Sequence, residues 1–235
     1  MKKNTYSFFC PAYYDEKNIS IVVEKAVNLF SEIAENYEIY LINDGSPDDT
    51  GKVCEELSEK YEKVKVIHHK MNLGYGAALK DGFLNASKFE YVCFTDGDNQ
   101  YDVYDFKKLI PLLPEYDMVI GVRKHNANSS IRKFISLCYN FSVRMFFGTN
   151  FRDMGAALRI VKKSAVNNIN IICNGSFAPA EIVIKLHKMG YKIGAVPISS
   201  YPRLHGKSTS LSPKNFMKTI MEMLKMLVNI KRKRF

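Results

Sequence analysis

The sequence predicts an α/β fold built on a mostly parallel sheet, and two observations carry that expectation. Short apolar runs alternate with segments of helical spacing through the first 123 residues. Such alternation implies right-handed crossovers between parallel strands, with helices on both faces of the sheet. The polar and glycine-rich stretches fall just after the apolar runs, where a parallel sheet gathers its ligand sites.

TYSFFC, from residue 5, reads as the first strand. NISIVVEKAVNLFSEIAE follows with Ile21, Val22, Ala26, Leu29 and Ile33 on one side, which is helical spacing. YEIYLIN and KVKVIHH read as the second and third strands, with the helix DDTGKVCEELSEKY between them. YGAALKDGFLNAS predicts a third helix, YVCFT a fourth strand, YDFKKLIPLLP a helix and YDMVIGV a fifth strand. Beyond residue 124 the pattern changes. SSIRKFISLCYNFSVRMFFG predicts an amphipathic helix, GAALRIV a strand, PAEIVIKLHKMG a helix and YKIGAVPIS a strand. YPRLHGKSTSLSP is polar and turn-rich, so a loop is expected, and residues 200–212 are expected to stay unordered until a ligand binds. NFMKTIMEMLKMLVNIKRKRF predicts a basic, methionine-rich terminal helix.

A length of 235 residues fits one large α/β domain. The five cysteines are widely spaced and show no metal-binding pattern, which fits reduced thiols rather than a disulfide framework. The N-terminus lacks the apolar stretch and cleavage site of a signal peptide. No run of 18 apolar residues exists to predict a spanning helix. The 34 basic and 24 acidic residues leave a net charge of +10. That balance suits nucleic acid, an anionic membrane or phosphorylated substrates. With no nucleic-acid-binding motif and no clustered stacking aromatics, nucleic acid is set aside.

Four strand ends carry the chemistry: PAYYDE, NDGSPDD, NLGYGAALKDG and TDGDNQ, in that order. Asp96 and Asp98 alternate along an extended segment, Gly97 lets the backbone turn between them, and Gln100 follows. Hard oxygen ligands in this pattern suit Mg²⁺ or Mn²⁺ and leave room for substrate phosphate oxygens. Taken alone, such a pair is more often a solvated turn or a helix cap, the role expected of Asp102 and Asp105. Gly74 and Gly76 match half of a dinucleotide fingerprint, but Leu79 stands where the third glycine belongs. Close backbone approach at a helix start is the better expectation for them.

In order and spacing these segments resemble a family 2 glycosyltransferase of the GT-A fold, nearest to the dolichol- or polyprenyl-phosphate mannose synthase branch. The matching pieces are PAYYDE, NDGSPDDT, NLGYGAALKDG, DGDNQ, GVR and RLHGKST, spread over residues 5 to about 210. The resemblance implies a glycosyltransferase domain over 1–212, with a nucleotide-sugar half (1–123) and an acceptor half (124–212), followed by a basic amphipathic helix and tail (213–235). It implies that Pro11, Tyr13 and Asp15 line the nucleoside pocket with Asp44 on the base, and that Gly74 and Gly97 border the donor. Asp96, Asp98 and Gln100 would hold Mg²⁺ or Mn²⁺ against the diphosphate of a UDP- or GDP-linked sugar. Arg123, Arg132, Ser136 and Arg203 would face phosphates of donor and acceptor. The chain departs from the family pattern at Tyr14, Asn43 and Thr209; the last replaces a lysine, with Lys207 two residues earlier.

The acceptor is the open choice. A sugar hydroxyl needs a carboxylate base, for which Glu181 is the first candidate and Asp153 the second. A lipid monophosphate is already largely ionised at neutral pH and needs none. The arginines favour a polyprenyl phosphate; the alternative is a sugar hydroxyl in cell-surface polysaccharide synthesis. The terminal helix, with Phe216, Ile220, Met223, Leu224, Leu227 and Val228 read as one face and lysines beside it, suits an anionic membrane surface. A cytoplasmic protein held peripherally at the inner face of the membrane is expected.

Overall fold

A computed structural model describes residues 4–124, 130–149, 151, 153–167, 169–203, 205 and 213–231. Strand β1 (Thr5–Ala12) is buried at every position after the first, because helices cover both faces of the sheet. Helix α1 (Ile19–Ile33) follows, then β2 (Asn36–Asn43), α2 (Thr50–Lys60), β3 (Val64–His68), α3 (Tyr75–Asn85) and β4 (Tyr91–Phe94). The helix expected next is broken. Residues 103–112 form α4 (Phe106–Leu109) between two 3-10 turns, and Pro111 sits in the second, where it can make no helical N–H bond. The rest runs β5 (Met118–Arg123), α5 (Ser130–Phe147), β6 (Arg159–Lys162), α6 (Lys163–Val166), α7 (Ala178–Lys188), β7 (Ile193–Ile198) and α8 (Pro213–Lys231).

The seven strands lie in the order β3-β2-β1-β4-β6-β5-β7. All pairings are parallel except the two made by β6, which runs against both β4 and β5. The mostly parallel α/β architecture is therefore as the sequence predicts. Two apolar layers sandwich the sheet. One packs Phe8, Phe30 and Phe106 under α1 and α4; the other packs Phe9, Phe83, Phe94 and Phe177 under α3 and α7.

At its start β6 carries Arg159, whose side chain is fully buried. Its guanidinium donates to three backbone carbonyls, those of Ala156 (2.8 Å), Met154 (2.5 Å) and Pro179 (2.6 Å). It thereby ties the 154–156 turn to the start of α7 and lies 5.8 Å from the Phe94 ring centre.

Helix α8 corrects the expected apolar face. Met226 is fully buried against the core, with Met223, Leu227 and Ile230 packed beside it. Phe216, Leu224 and Val228 point outward instead, each about half exposed. Seven apolar residues among the nine from Ile220 to Val228 leave periodicity unable to say which side docks. Among the described residues no helix is long and apolar enough to cross a membrane.

Candidate active site

The carboxyl ends of β1, β2 and β4 meet in one crevice. β1 lies between the other two, and Gly97 after β4 donates its N–H to the Pro11 carbonyl at 3.0 Å. A Cβ on Gly97 would come within 3.1 Å of that carbonyl oxygen and 3.3 Å of the Asp15 carboxylate, so glycine is what lets the strand ends close up. Asp15 is held by the β1 turn itself: Tyr13 N–H donates to its Oδ2 at 3.0 Å, and its own N–H donates to Thr50 Oγ1 at 2.8 Å.

Asp96 and Asp98 sit in this crevice with Asp15. Tyr75 Oη donates to Asp96 Oδ1 at 2.5 Å, and Gln100 N–H donates to Asp98 Oδ1 at 3.0 Å. Burial raises the Asp96 carboxyl to about 6, with the Tyr75 hydrogen bond opposing the shift. Burial, then the charge of Asp96, raises Asp98 to about 7. Asp15 is raised to about 6 by burial, with Arg203 opposing. Three crowded carboxyls at the end of a sheet are costly to ionise without a counter-charge. The donor set fits a hard divalent cation. Two carboxylates and Gln100 Oε1 would supply oxygen ligands, and water and phosphate oxygens would take the remaining positions. Asp15 shares the crevice but completes no three-ligand metal cluster among the described residues. The Gln100 amide donates from Nε2 to the Tyr201 carbonyl at 3.3 Å, so Oε1 is the atom it could offer a cation.

Asp44 is largely occupied by the protein. Its Oδ1 accepts from Leu73 N–H (2.8 Å) and pairs with His69 Nδ1 (2.7 Å), while Oδ2 accepts from Gly74 N–H (2.9 Å). A carboxylate oxygen accepts about two hydrogen bonds, so Oδ2 retains room for one further donor. His69 bridges to Asp81 through Nε2 at 2.7 Å, and its two carboxylate partners outweigh burial to raise its pKa. Close approach at Gly74 and Gly76 is present, but the partner is the chain itself. A Cβ on Gly74 would fall 2.2 Å from the Asn174 carbonyl oxygen, and one on Gly76 would fall 1.9 Å from that of Cys173.

The loop after β7 is not standing free. Arg203 Nη2 donates to Asp15 Oδ1 (2.5 Å) and to the Tyr14 carbonyl (2.8 Å), and its Nε donates to the His205 carbonyl (2.8 Å). The expectation of an unordered loop is thus corrected for 200–203 and 205, since the Arg203–Asp15 ion pair fastens them to β1. Lys207 and Thr209 lie outside the described residues.

Two further expectations are corrected. Glu181 is fully buried and is held by the protein itself. Its oxygens accept from Ile172 N–H and Cys173 N–H, each at 2.9 Å, and Oε1 lies 2.7 Å from Lys185 Nζ, itself 1% exposed. A carboxylate with its lone pairs so engaged positions the 172–173 loop. Arg123 is not free for a phosphate: its Nε donates to Asp153 Oδ2 at 2.7 Å, and Nη2 closes the pair on Oδ1. The same pairing ties up Asp153. Arg132 and Ser136 fall on α5, with side chains outside the described residues. Pro11 is buried in β1, and Tyr13 packs edge-on against Tyr14, ring centres 4.6 Å apart.

Sequence reasoning passed over Tyr75, Thr50, His69 and Arg159. Arg159 left a signal, a lone charge inside the apolar run AALRIV. The others left none, because each acts on a residue of a different strand end.

The chain matches the model of glycosyl transferase family 2 over residues 7–169. It is 31% identical over 177 residues to the CsbB protein of Bacillus subtilis (strain 168), named as a glycosyltransferase, covering 75% of this chain and 54% of that one. It is 24% identical over 207 residues to a dodecaprenyl-phosphate galacturonate synthase of Rhizobium johnstonii, covering 86% of this chain and 60% of the other. The chain thus spans little more than half the length of these curated relatives. Its fold resembles that of glucosyl-3-phosphoglycerate synthase from Mycobacterium tuberculosis, a structure holding Mg²⁺ and UDP. The TM-score is 0.73 at 16% identity, over 95% of this chain and 79% of that one.

Proposed function

The chain belongs to glycosyl transferase family 2, and from that premise we propose that it transfers a sugar from a nucleotide–sugar to a polyprenyl-phosphate-type acceptor. The observation that carries the choice of acceptor is the closure of both candidate bases: Glu181 inside the core on Lys185, and Asp153 on Arg123. An acceptor hydroxyl would need a base. A phosphate monoester, with a second pKa near ~6, arrives ionised and needs none. The name of the Rhizobium relative, a dodecaprenyl-phosphate galacturonate synthase, points the same way.

In this reading Pro11, Tyr13 and Asp15 border the nucleoside, and Asp44 offers its remaining Oδ2 site to the base. Asp96, Asp98 and Gln100 hold the cation. A bound Mg²⁺ or Mn²⁺ supplies positive charge against the leaving diphosphate. Arg203 exchanges Asp15 for a donor phosphate, and Arg132 with Ser136 receives the acceptor phosphate. A phosphate oxygen forms the new bond to the anomeric carbon as the bond to the nucleoside diphosphate breaks, with inversion and no proton transferred. Such an acceptor is met at the cytoplasmic face of an anionic membrane.

The test is a transfer assay with Mn²⁺, UDP- and GDP-linked sugars, and either a short-chain polyprenyl phosphate or a saccharide. Transfer to the phosphate is expected. Transfer to the saccharide alone would overturn the reading.

A further inference from the structure

Asp44 follows β2 beside the end of β1, where its N–H donates to the Ala12 carbonyl at 3.1 Å. Helix α3 grips its side chain twice. The Gly74 N–H at the helix start donates to Oδ2 at 2.9 Å, and Asp81 one turn further on holds His69 against Oδ1. His69 is itself fixed by its backbone N–H, which donates to the Asn43 carbonyl at 2.9 Å. The neighbouring His68 pairs instead with Glu55 and Asn43.

The protons on His69 follow from its partners. Both ring nitrogens lie 2.7 Å from carboxylate oxygens, and an ionised carboxylate only accepts. A neutral ring has one donor nitrogen and one acceptor, so it would set a lone pair against one of the two carboxylates. An imidazolium satisfies the bridge, donating from Nδ1 to Asp44 and from Nε2 to Asp81. Burial opposes that charge, and the two carboxylates outweigh it and raise the pKa.

The lone pairs of Asp44 then limit what it can still accept. Oδ1 takes Leu73 N–H and His69 Nδ1–H and is full, while Oδ2 takes Gly74 N–H and has room for one donor. Nucleobases divide on that count. Uracil presents a single N–H, at N3, flanked by two carbonyls. Guanine presents N1–H with its N2 amino group alongside, a pair that suits a carboxylate with both oxygens open. Adenine and cytosine set a ring lone pair next to their amino group, which a carboxylate repels.

We infer that His69, held by Asp81, is a positioning residue that fills Oδ1 of Asp44 and so selects a uridine nucleotide as donor over a guanosine one. The inference rests on the reading of this crevice as the nucleotide–sugar site. Guanine in the same place would leave an amino N–H facing a filled oxygen, and an unmet buried donor lowers affinity by on the order of 10- to 100-fold.

Calorimetric titration of the full chain with UDP and with GDP, each with Mn²⁺, tests it. The two ligands share ribose, diphosphate and metal, so the ratio of their affinities reads the base. UDP is expected to bind on the order of 10- to 100-fold more tightly. UDP methylated at N3 has no donor for Oδ2 and should lose most of that advantage. His69→Ala opens a position on Oδ1, so the preference for UDP should shrink to a few-fold. His69→Asn, which places an amide nitrogen near the Nδ1 position, should keep most of it. A residue that only supports the fold would weaken UDP and GDP alike. GDP binding as tightly as UDP, or N3-methyl UDP binding like UDP, would overturn the inference and leave the nucleotide–sugar reading standing. So would a UDP preference that His69→Ala leaves intact. Binding of neither nucleotide would overturn both. Should His69→Ala fail to fold, the three ligands on the unaltered chain still decide.

Discussion

Replacing Glu181 with Gln separates a structural carboxylate from a catalytic one. In the folded protein Glu181 accepts two backbone N–H groups and holds Lys185 at 2.7 Å, with both side chains out of solvent. The amide keeps the shape, but its NH₂ faces a donor, and the ammonium of Lys185 keeps the Asn170 carbonyl while losing its anionic partner. Removing one partner of a buried pair costs about 3–5 kcal/mol. For a domain of this size each kcal/mol lowers the melting temperature by roughly 2–4 °C, so a drop of roughly 6–20 °C is expected. Turnover per folded molecule, measured well below that melting temperature with a polyprenyl phosphate acceptor, should stay within a few-fold of the unaltered chain. Adding Lys185→Met removes the stranded charge and should recover much of the lost stability, since neutral replacement of a buried pair is often tolerated. The reasoning fails if Glu181→Gln melts normally and loses on the order of 100- to 10,000-fold in turnover, the signature of a missing base.

Three other outcomes follow from the site. Asp96 and Asp98 are raised to about 6 and about 7, well above the unfolded carboxyl value near ~3.9. Groups shifted upward stabilise the fold below their unfolded value and lose that contribution as pH rises through the folded one. The metal-free protein should therefore melt at a lower temperature at pH 8 than at pH 5. Mn²⁺ should restore the loss at pH 8, and rescue that survives Asp98→Asn would remove that residue from the metal site. Arg132→Ala should lower turnover on a polyprenyl phosphate by on the order of 10- to 100-fold, the loss of one charge-assisted hydrogen bond; an unchanged kcat/KM would place the acceptor phosphate elsewhere. Gly76→Ala forces a Cβ to 1.9 Å from the Cys173 carbonyl oxygen, backbone that cannot swing aside. Its expected result is insoluble or sharply destabilised protein, and a normal melting curve would refute the tight packing.

The first five strands were legible because each is a short apolar run ended by turn chemistry, and three crevice carboxylates follow from where β1 and β4 stop. Residues that depend on distant partners were not. GAALRIV reads as a strand, yet nothing local says that β6 inserts between β4 and β5 and runs backwards. Arg123 and Asp153 stand thirty residues apart and look like separate functional groups until the fold pairs them. Glu181 did carry a local hint, Lys185 at i+4 within the otherwise apolar stretch from Ala178 to Leu186, the spacing of an ion pair. Burial of that pair is set by the sheet beneath it, which a helical pattern does not reveal.

The contact of Gly74 and Gly76 with the Cys173–Asn174 backbone also bears on how this protein can be re-engineered. The NLGYGA turn belongs to the stretch before residue 124, and its mate lies a hundred residues later. Neither surface has a side chain that could be trimmed to suit a new neighbour, because the fit is main chain against main chain. A chimera joining the amino-terminal part of one relative to the carboxyl-terminal part of another would have to transplant both pieces together. A library that shuffles them independently should yield mostly misfolded clones, whatever sugar or acceptor each parent prefers.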